Sequence, residues 1–339
     1  MYFRILFLCQ MQYRYTMIKV FTFLFYFVLF SWVIQAQQLP LFTQYREHIG
    51  IINPAAIAGN YFLYGQTGSI GLSTRQQWIG KDGAPQTQLI QGYYLSESNQ
   101  GISPVFGGHI INDKAGRVGT TGLYGRAGGI LSSDPAYNGF AAGITVGIVQ
   151  YRVDLHGIIA RDPDDELLAD QSLQKRIYPD AGLGIYVWQA INDYDYIVGG
   201  ISIPQVLSLD VTFRNELDKK FNLNRVRHYY AMLGWVKDLP RDGSKLEMNG
   251  WFKYVPNAPF HFDANCRYQI GQDFWDFWLG AGYGMSKAAH LEFGFVIGEE
   301  RPVKIGYGYD FNTSNKILAF GQSHELNLSY NFGGSSGWK

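Results

Sequence analysis

The stretch that decides the fold is His324-Glu325-Leu326-Asn327-Leu328-Ser329-Tyr330-Asn331-Phe332. Successive side chains on a strand point to opposite faces. Leu326, Leu328, Tyr330 and Phe332 therefore form one wall, and Glu325, Asn327, Ser329 and Asn331 the other. An apolar wall backed by a polar one, on a segment of about ten residues, is what a strand needs to cross an outer membrane with lipid outside and a hydrophilic lumen inside.

Three more segments repeat the pattern. Phe260, Phe262, Ala264, Cys266, Tyr268 and Ile270 alternate with His261, Asp263, Asn265, Arg267 and Gln269. Leu291, Phe293, Phe295 and Ile297 alternate with His290, Glu292 and glycines, and Val303, Ile305, Tyr307, Tyr309 and Phe311 with Lys304, Gly306, Gly308 and Asp310. A one-residue slip would turn Asp263 and Arg267 to lipid, at about 2–4 kcal/mol for an Arg or Lys near the midplane. That penalty fixes the register. By the same logic Phe293→Arg should impair assembly and Glu292→Gln should be tolerated.

Working outward, strand candidates fall at 67–78, 86–95, 101–111, 119–130, 139–153, 180–189, 195–203, 227–238, 245–254, 260–270, 274–284, 289–298, 302–311 and 322–332. That is about 14 strands, the even number that bacterial barrels favour. Ser98-Asn99-Gln100-Gly101, Asn112-Asp113-Lys114-Ala115-Gly116, Asn192-Asp193 and Arg241-Asp242-Gly243 supply turn residues that tolerate positive φ. Two connections are longer. Arg161–Pro179 holds Asp162, Asp164, Asp165 and Glu166, and Pro204–Val226 holds Asn215-Glu216-Leu217-Asp218-Lys219-Lys220.

Composition agrees. Charged residues are 17% of the chain, against about 25% in soluble domains, too few to cover a water-facing surface. The net charge is zero and no basic run occurs, so no nucleic-acid partner is indicated. Met17-Ile18-Lys19, the apolar run Val20–Ile34 and Gln35-Ala36-Gln37 have the layout of an export signal. The expected organisation is an export signal over 1–36 with Met17 as the true start, a lumen-plugging or periplasmic segment over 37–66, an antiparallel outer-membrane β-barrel over 67–332, and a tail over 333–339. Cys9 falls in the signal, which leaves Cys266 and no disulfide.

Several blocks resemble the PorP/SprF family. They are Phe42-Thr43-Gln44-Tyr45 with Ile52-Asn53-Pro54-Ala55 and Ala58-Gly59, and the run Arg75-Gln76-Gln77-Trp78-Ile79-Gly80-Lys81-Asp82-Gly83-Ala84-Pro85-Gln86-Thr87. Asn112-Asp113-Lys114 with Gly122-Leu123-Tyr124, Tyr178-Pro179-Asp180-Ala181-Gly182 and Arg227-His228-Tyr229-Tyr230 continue the likeness. Tyr254-Val255-Pro256-Asn257-Ala258-Pro259, Gly306-Tyr307-Gly308-Tyr309-Asp310 and Ser323-His324-Glu325 complete it. The resemblance implies an outer-membrane component of the type IX secretion and gliding machinery. Its implied partners are secreted proteins with C-terminal targeting domains and the periplasmic ring, besides outer-membrane lipid. It supplies no catalytic residue and no cofactor.

Enzymatic readings find little support. His324-Glu325 lacks a second His four residues on, so it is no zinc-protease motif. The acidic run Asp162–Glu166 lacks the spacing and glycine of an EF-hand. Gly182-Leu183-Gly184 and Gly306-Tyr307-Gly308 lie inside strands, where glycine permits bending and close packing. The leading expectation is a non-enzymatic barrel that docks or anchors secreted proteins; the alternative is a passive porin or small-molecule transporter.

Overall fold

In lipid every backbone N–H and C=O must be paired within the protein, so short two-faced strands are stable there only in a closed sheet. The computed structural model shows that closure. It describes residues 42–98, 101–135, 137–154, 156, 173–192, 195–214, 220–239, 243–271, 275–285, 288–298, 302–313 and 321–334. The expected export signal, the acidic run 162–166, residues 215–219 and the end of the tail from 335 lie outside them. All that follows concerns the compact unit Gln37–Pro256 with Phe260–Lys339.

The strands are β1 Gly68–Gln76, β2 Gln86–Leu95, β3 Ile102–Ala115, β4 Val118–Leu131, β5 Asn138–Asp154, β6 Leu173–Asn192 and β7 Asp195–Gln205. After the short pair β8 Leu209–Arg214 and β9 Lys220–Arg225 come β10 His228–Leu239, β11 Ser244–Tyr254, β12 His261–Gly271 and β13 Trp275–Gly284. Last are β14 Ala288–Ile297, β15 Val303–Asn312 and β16 Ser323–Phe332. β1–β7 and β10–β16 form an antiparallel barrel, closed where Gly68–Gln76 pairs with Phe332–His324. All 14 expected strands are present. The structure adds β8–β9, a separate two-stranded sheet within the expected loop Pro204–Val226. It also starts β6 at Leu173, inside the other expected loop.

Gly68 faces Phe332, so the barrel's first and last residues share one rim. The connections 155–172 and 206–227 both leave the opposite rim, as does 77–85. Bacterial barrels keep short turns and both termini on the periplasmic side and longer loops outside. The rim bearing 77–85, 155–172 and 206–227 is therefore the outer one.

Burial follows the expected alternation in the second half. Phe293 is 42% exposed and Glu292 0%. Leu326, Leu328 and Tyr330 face outward while Glu325, Asn327 and Asn331 are buried. Phe293 stands mid-strand and packs on Tyr307 of the next strand, ring centroids 5.2 Å apart. Phe293→Arg is expected to destabilise the barrel by about 2–4 kcal/mol, read as loss of the heat-modifiable folded band in outer-membrane fractions. Normal assembly would move this residue off the lipid wall.

Candidate functional site

The interior is built around residues 42–66. A 3-10 turn spans Tyr45–His48, one helical turn Ile49–Ile52, and a short helix Gly59–Tyr64. Asn53 is extended (φ −136°, ψ 112°), as a residue before proline must be. Its Oδ1 accepts the Ala55 N–H at 2.9 Å, which turns the chain there. The segment begins beside Asp310 and Glu325, near the outer ends of β15 and β16. It finishes at the inner rim, where Asn60 Nδ2 donates to Asn331 Oδ1 (2.7 Å) and Tyr64 OH to Asp276 Oδ2 (2.7 Å). Tyr61 OH donates to Glu97 (3.1 Å), and Lys245 Nζ donates to the Leu63 carbonyl (3.1 Å).

Apolar contacts hold one side of the segment. Ala55, Ala56, Ile57, Tyr61 and Phe62 pack on wall residues that include Leu95, Val105, Ile130, Tyr186 and Trp188. Phe42, Tyr45 and Ile52 pack on Leu89, Tyr230 and Trp251. Midway, Asn53 Nδ2 donates to the Ile185 carbonyl (2.9 Å), and Ser202 Oγ donates to the Ile52 carbonyl (2.7 Å). The in-strand glycines make this approach possible. A Cβ on Gly184 would strike Asn53, and one on Gly306 would strike Gln44.

Charge holds the other side. Arg46 meets Glu292 at 2.5 Å and Glu247 at 3.6 Å. Glu47 meets Lys304 at 2.8 Å and Arg267 at 3.0 Å, and Arg267 also pairs with Glu292 at 2.9 Å. Burial opposes ionisation of Glu47, but the Lys304 ammonium and Arg267 guanidinium outweigh it and hold the carboxyl far below the usual carboxylate range. Glu325 receives the backbone N–H groups of Thr43 (2.7 Å) and Gln44 (3.1 Å), and lies 3.5 Å from both Arg75 and His48. Arg75 pairs with Asp310 at 2.6 Å and donates to Thr43 Oγ1. These pairs reverse the expectation for Glu292→Gln: Glu292 is the fully buried partner of two guanidinium groups, not one polar wall residue among many.

Above the segment, toward the outer rim, lies a cavity of about 410 Å³. Phe42, Ile52, Tyr124, Tyr151, Tyr230 and Trp251 are among the residues that line it. The buried pair Asp180–Arg225 borders it, with Tyr124 OH donating to Asp180 at 2.9 Å. Arg225 closes β9, and Val211 of β8 is fully buried against Val149, Tyr151 and Val153 of β5. The β8–β9 hairpin thus packs on the wall beside this cavity.

The residues singled out in the sequence divide into three groups. Phe42, Gln44, Tyr45, Asn53, Pro54, Arg75 and Glu325 meet inside the barrel. Trp78, Asp82, Gly83 and Pro85 form the β1–β2 loop. There Gln77 N–H donates to the Pro85 carbonyl (2.9 Å), and Gly116 N–H donates to the Gly83 carbonyl (2.8 Å), clasping the β3–β4 turn. Asn112 and Asp113 serve neighbouring strands: Thr121 donates to Asn112 (3.0 Å) and Thr87 to Asp113 (2.6 Å). His324 is turned away from Glu325 and bonds Tyr307 OH at 2.5 Å. Sequence reasoning missed Arg46, Glu47, Asp180 and Arg225 as interior groups. Arg46-Glu47 beside Phe42–Tyr45 was the available signal, since adjacent opposite charges facing an ion-lined lumen find partners there.

Among the described residues no cluster of His, Cys, Asp and Glu could hold a metal ion. The chain matches the family model for the type IX secretion system membrane protein PorP/SprF over residues 34–330. No curated protein matches it significantly. Among solved structures it is similar to a TodX deltaS2S3 mutant monoaromatic hydrocarbon channel, with 10% identity, coverage of 83% of this chain and 93% of that one, and a TM-score of 0.55. It is also similar to the CymD monoaromatic hydrocarbon channel, at 11% identity, 86% and 94% coverage and TM-score 0.53. The Pseudomonas putida toluene transporter TodX gives 9% identity, 88% and 99% coverage and TM-score 0.53. At such identities the likeness concerns the barrel fold.

Proposed function

Because this chain belongs to the PorP/SprF family of type IX secretion system membrane proteins, we propose that it docks or anchors secreted proteins at the cell surface through their C-terminal targeting domains. Its place is the outer membrane, as a component of that secretion system. It does no covalent chemistry in this reading. Residues 42–66 are the plug that seals the barrel, and the loops of the outer rim are the docking surface. Loops fixed on a rigid wall lose little entropy when a partner binds. The periplasmic ring of the machinery is the partner at the inner rim.

One observation carries the reading beyond the family: residues 42–64 fill the lumen with apolar contacts on one side and ion pairs on the other. A passive porin keeps an aqueous path through its lumen, and this arrangement opposes one. Deleting the gene is expected to abolish surface display of one exported partner while general outer-membrane permeability stays unchanged. Unaltered display of every type IX cargo would refute the docking role, whereas lost uptake of a small solute would favour transport.

A further inference from the structure

Among the described residues Arg126 is a buried cation without a counter-charge. It projects from β4 into the interior with 9% exposure. Among the described residues no ion pair includes it, and its Nε has no hydrogen-bond partner. Its guanidinium carbon stands 6.0 Å from the centroid of the Tyr93 ring. Tyr93 OH is itself buried and unpartnered. A guanidinium does not shed its proton to escape burial, and an uncompensated buried charge is strongly destabilising.

The guanidinium borders an internal cavity of about 70 Å³ between residues 44–60 and the barrel wall. Three cations line it, Arg46, Arg126 and Lys304, against one carboxylate, Glu47; His48, His109 and Tyr93 complete its titratable lining. Arg46 and Lys304 are already paired, with Glu292 and Glu47. The unbalanced positive charge is thus Arg126's. A site for one water needs about 10–15 Å³ on this measure, so the cavity admits a small ion with a few waters.

We propose that a monovalent inorganic anion of chloride's size occupies this cavity against Arg126, with Tyr93 OH as a second donor. Such an ion clips β4 to the plug at Gly50, where a Cβ would overlap Arg126 Nη1. The site is independent of cargo docking.

Bromide is the probe. Crystals of the full-length mature barrel grown or soaked in sodium bromide should show an anomalous peak beside the Arg126 guanidinium. Parallel melts in detergent, at fixed ionic strength with gluconate replacing chloride, should show a midpoint that rises with the logarithm of chloride concentration. Arg126→Met should lose that dependence while keeping the folded, heat-modifiable band. No anomalous density at Arg126 in the unsubstituted protein, or an undiminished chloride dependence in Arg126→Met, overturns the site. The crystal measurement needs no variant, so a misfolding Arg126→Met leaves the test intact.

Discussion

Glu292→Gln is expected to destabilise the folded barrel by about 3 kcal/mol, the low end of the 3–5 kcal/mol lost when one partner of a buried ion pair is removed. The side chain keeps its shape and can still accept from Asn265, which lies 3.1 Å from Oε1. It loses the charge that answers two guanidinium groups. Arg46 would be left with Glu247 at 3.6 Å, and Arg267 with Glu47 at 3.0 Å. Those residual pairs place the estimate at the low end. Urea unfolding of the purified barrel, followed by tryptophan fluorescence, measures the loss directly. A cycle with Arg46→Met separates pair from site. Removing both partners should recover part of the loss, because a neutral Gln facing a Met leaves no Arg46 charge stranded. A Glu292→Gln barrel within about 0.5 kcal/mol of wild type, the range of neutral surface changes, would detach this network from stability.

How much of this was legible follows from what each wall touches. On β12 and β14–β16 the outer face meets lipid and the inner face meets ions, so alternation is clean and the register can be read from Arg267, Glu292, Lys304 and Glu325. On β2–β6 the inner face meets the apolar side of residues 42–64. Leu89, Leu95, Val105, Ile130, Tyr186 and Trp188 point inward there. Both faces of those strands are then apolar in places, and a period of two fades although the strands are as regular as the others. The β8–β9 hairpin was hidden for a related reason. Its side chains belong to a two-stranded sheet over the wall and not to the barrel, so Val211 is buried against β5 without any lipid-facing partner pattern. The ion pairs of Arg46 and Glu47 join residues more than 200 positions apart in sequence. No local pattern reports contacts of that separation. The side of the membrane became readable only once Gly68 and Phe332 were found at one rim.

Deleting residues 42–64 is expected to convert a barrel with little planar-bilayer conductance into one with discrete openings, at least about tenfold above wild type. Barrels of about eight strands are filled by their own side chains, and those with 16–18 hold a water channel. Fourteen strands leave more room than wall side chains fill, and residues 42–64 take it up. Without the plug, Glu247, Glu292, Arg267, Lys304, Arg75 and Glu325 would line a wet pore. Charges that are costly to bury become ordinary once water and salt reach them. The barrel itself should survive, because its strand pairs close through β1 and β16 without the plug; heat-modifiable mobility of the variant checks this. Arg46→Ala combined with Glu47→Ala is the milder form, expected to give intermittent openings, since the apolar contacts and the Asn53 and Ser202 bonds persist. Surface display of the cargo separates sealing from docking. It should continue in both variants, because the outer loops are untouched. A folded deletion variant that conducts no more than wild type would mean that something other than residues 42–64 closes the lumen. An open variant that also loses display would place the docking surface inside the barrel, at the cavity bordered by Arg225 and Trp251, and not on its rim.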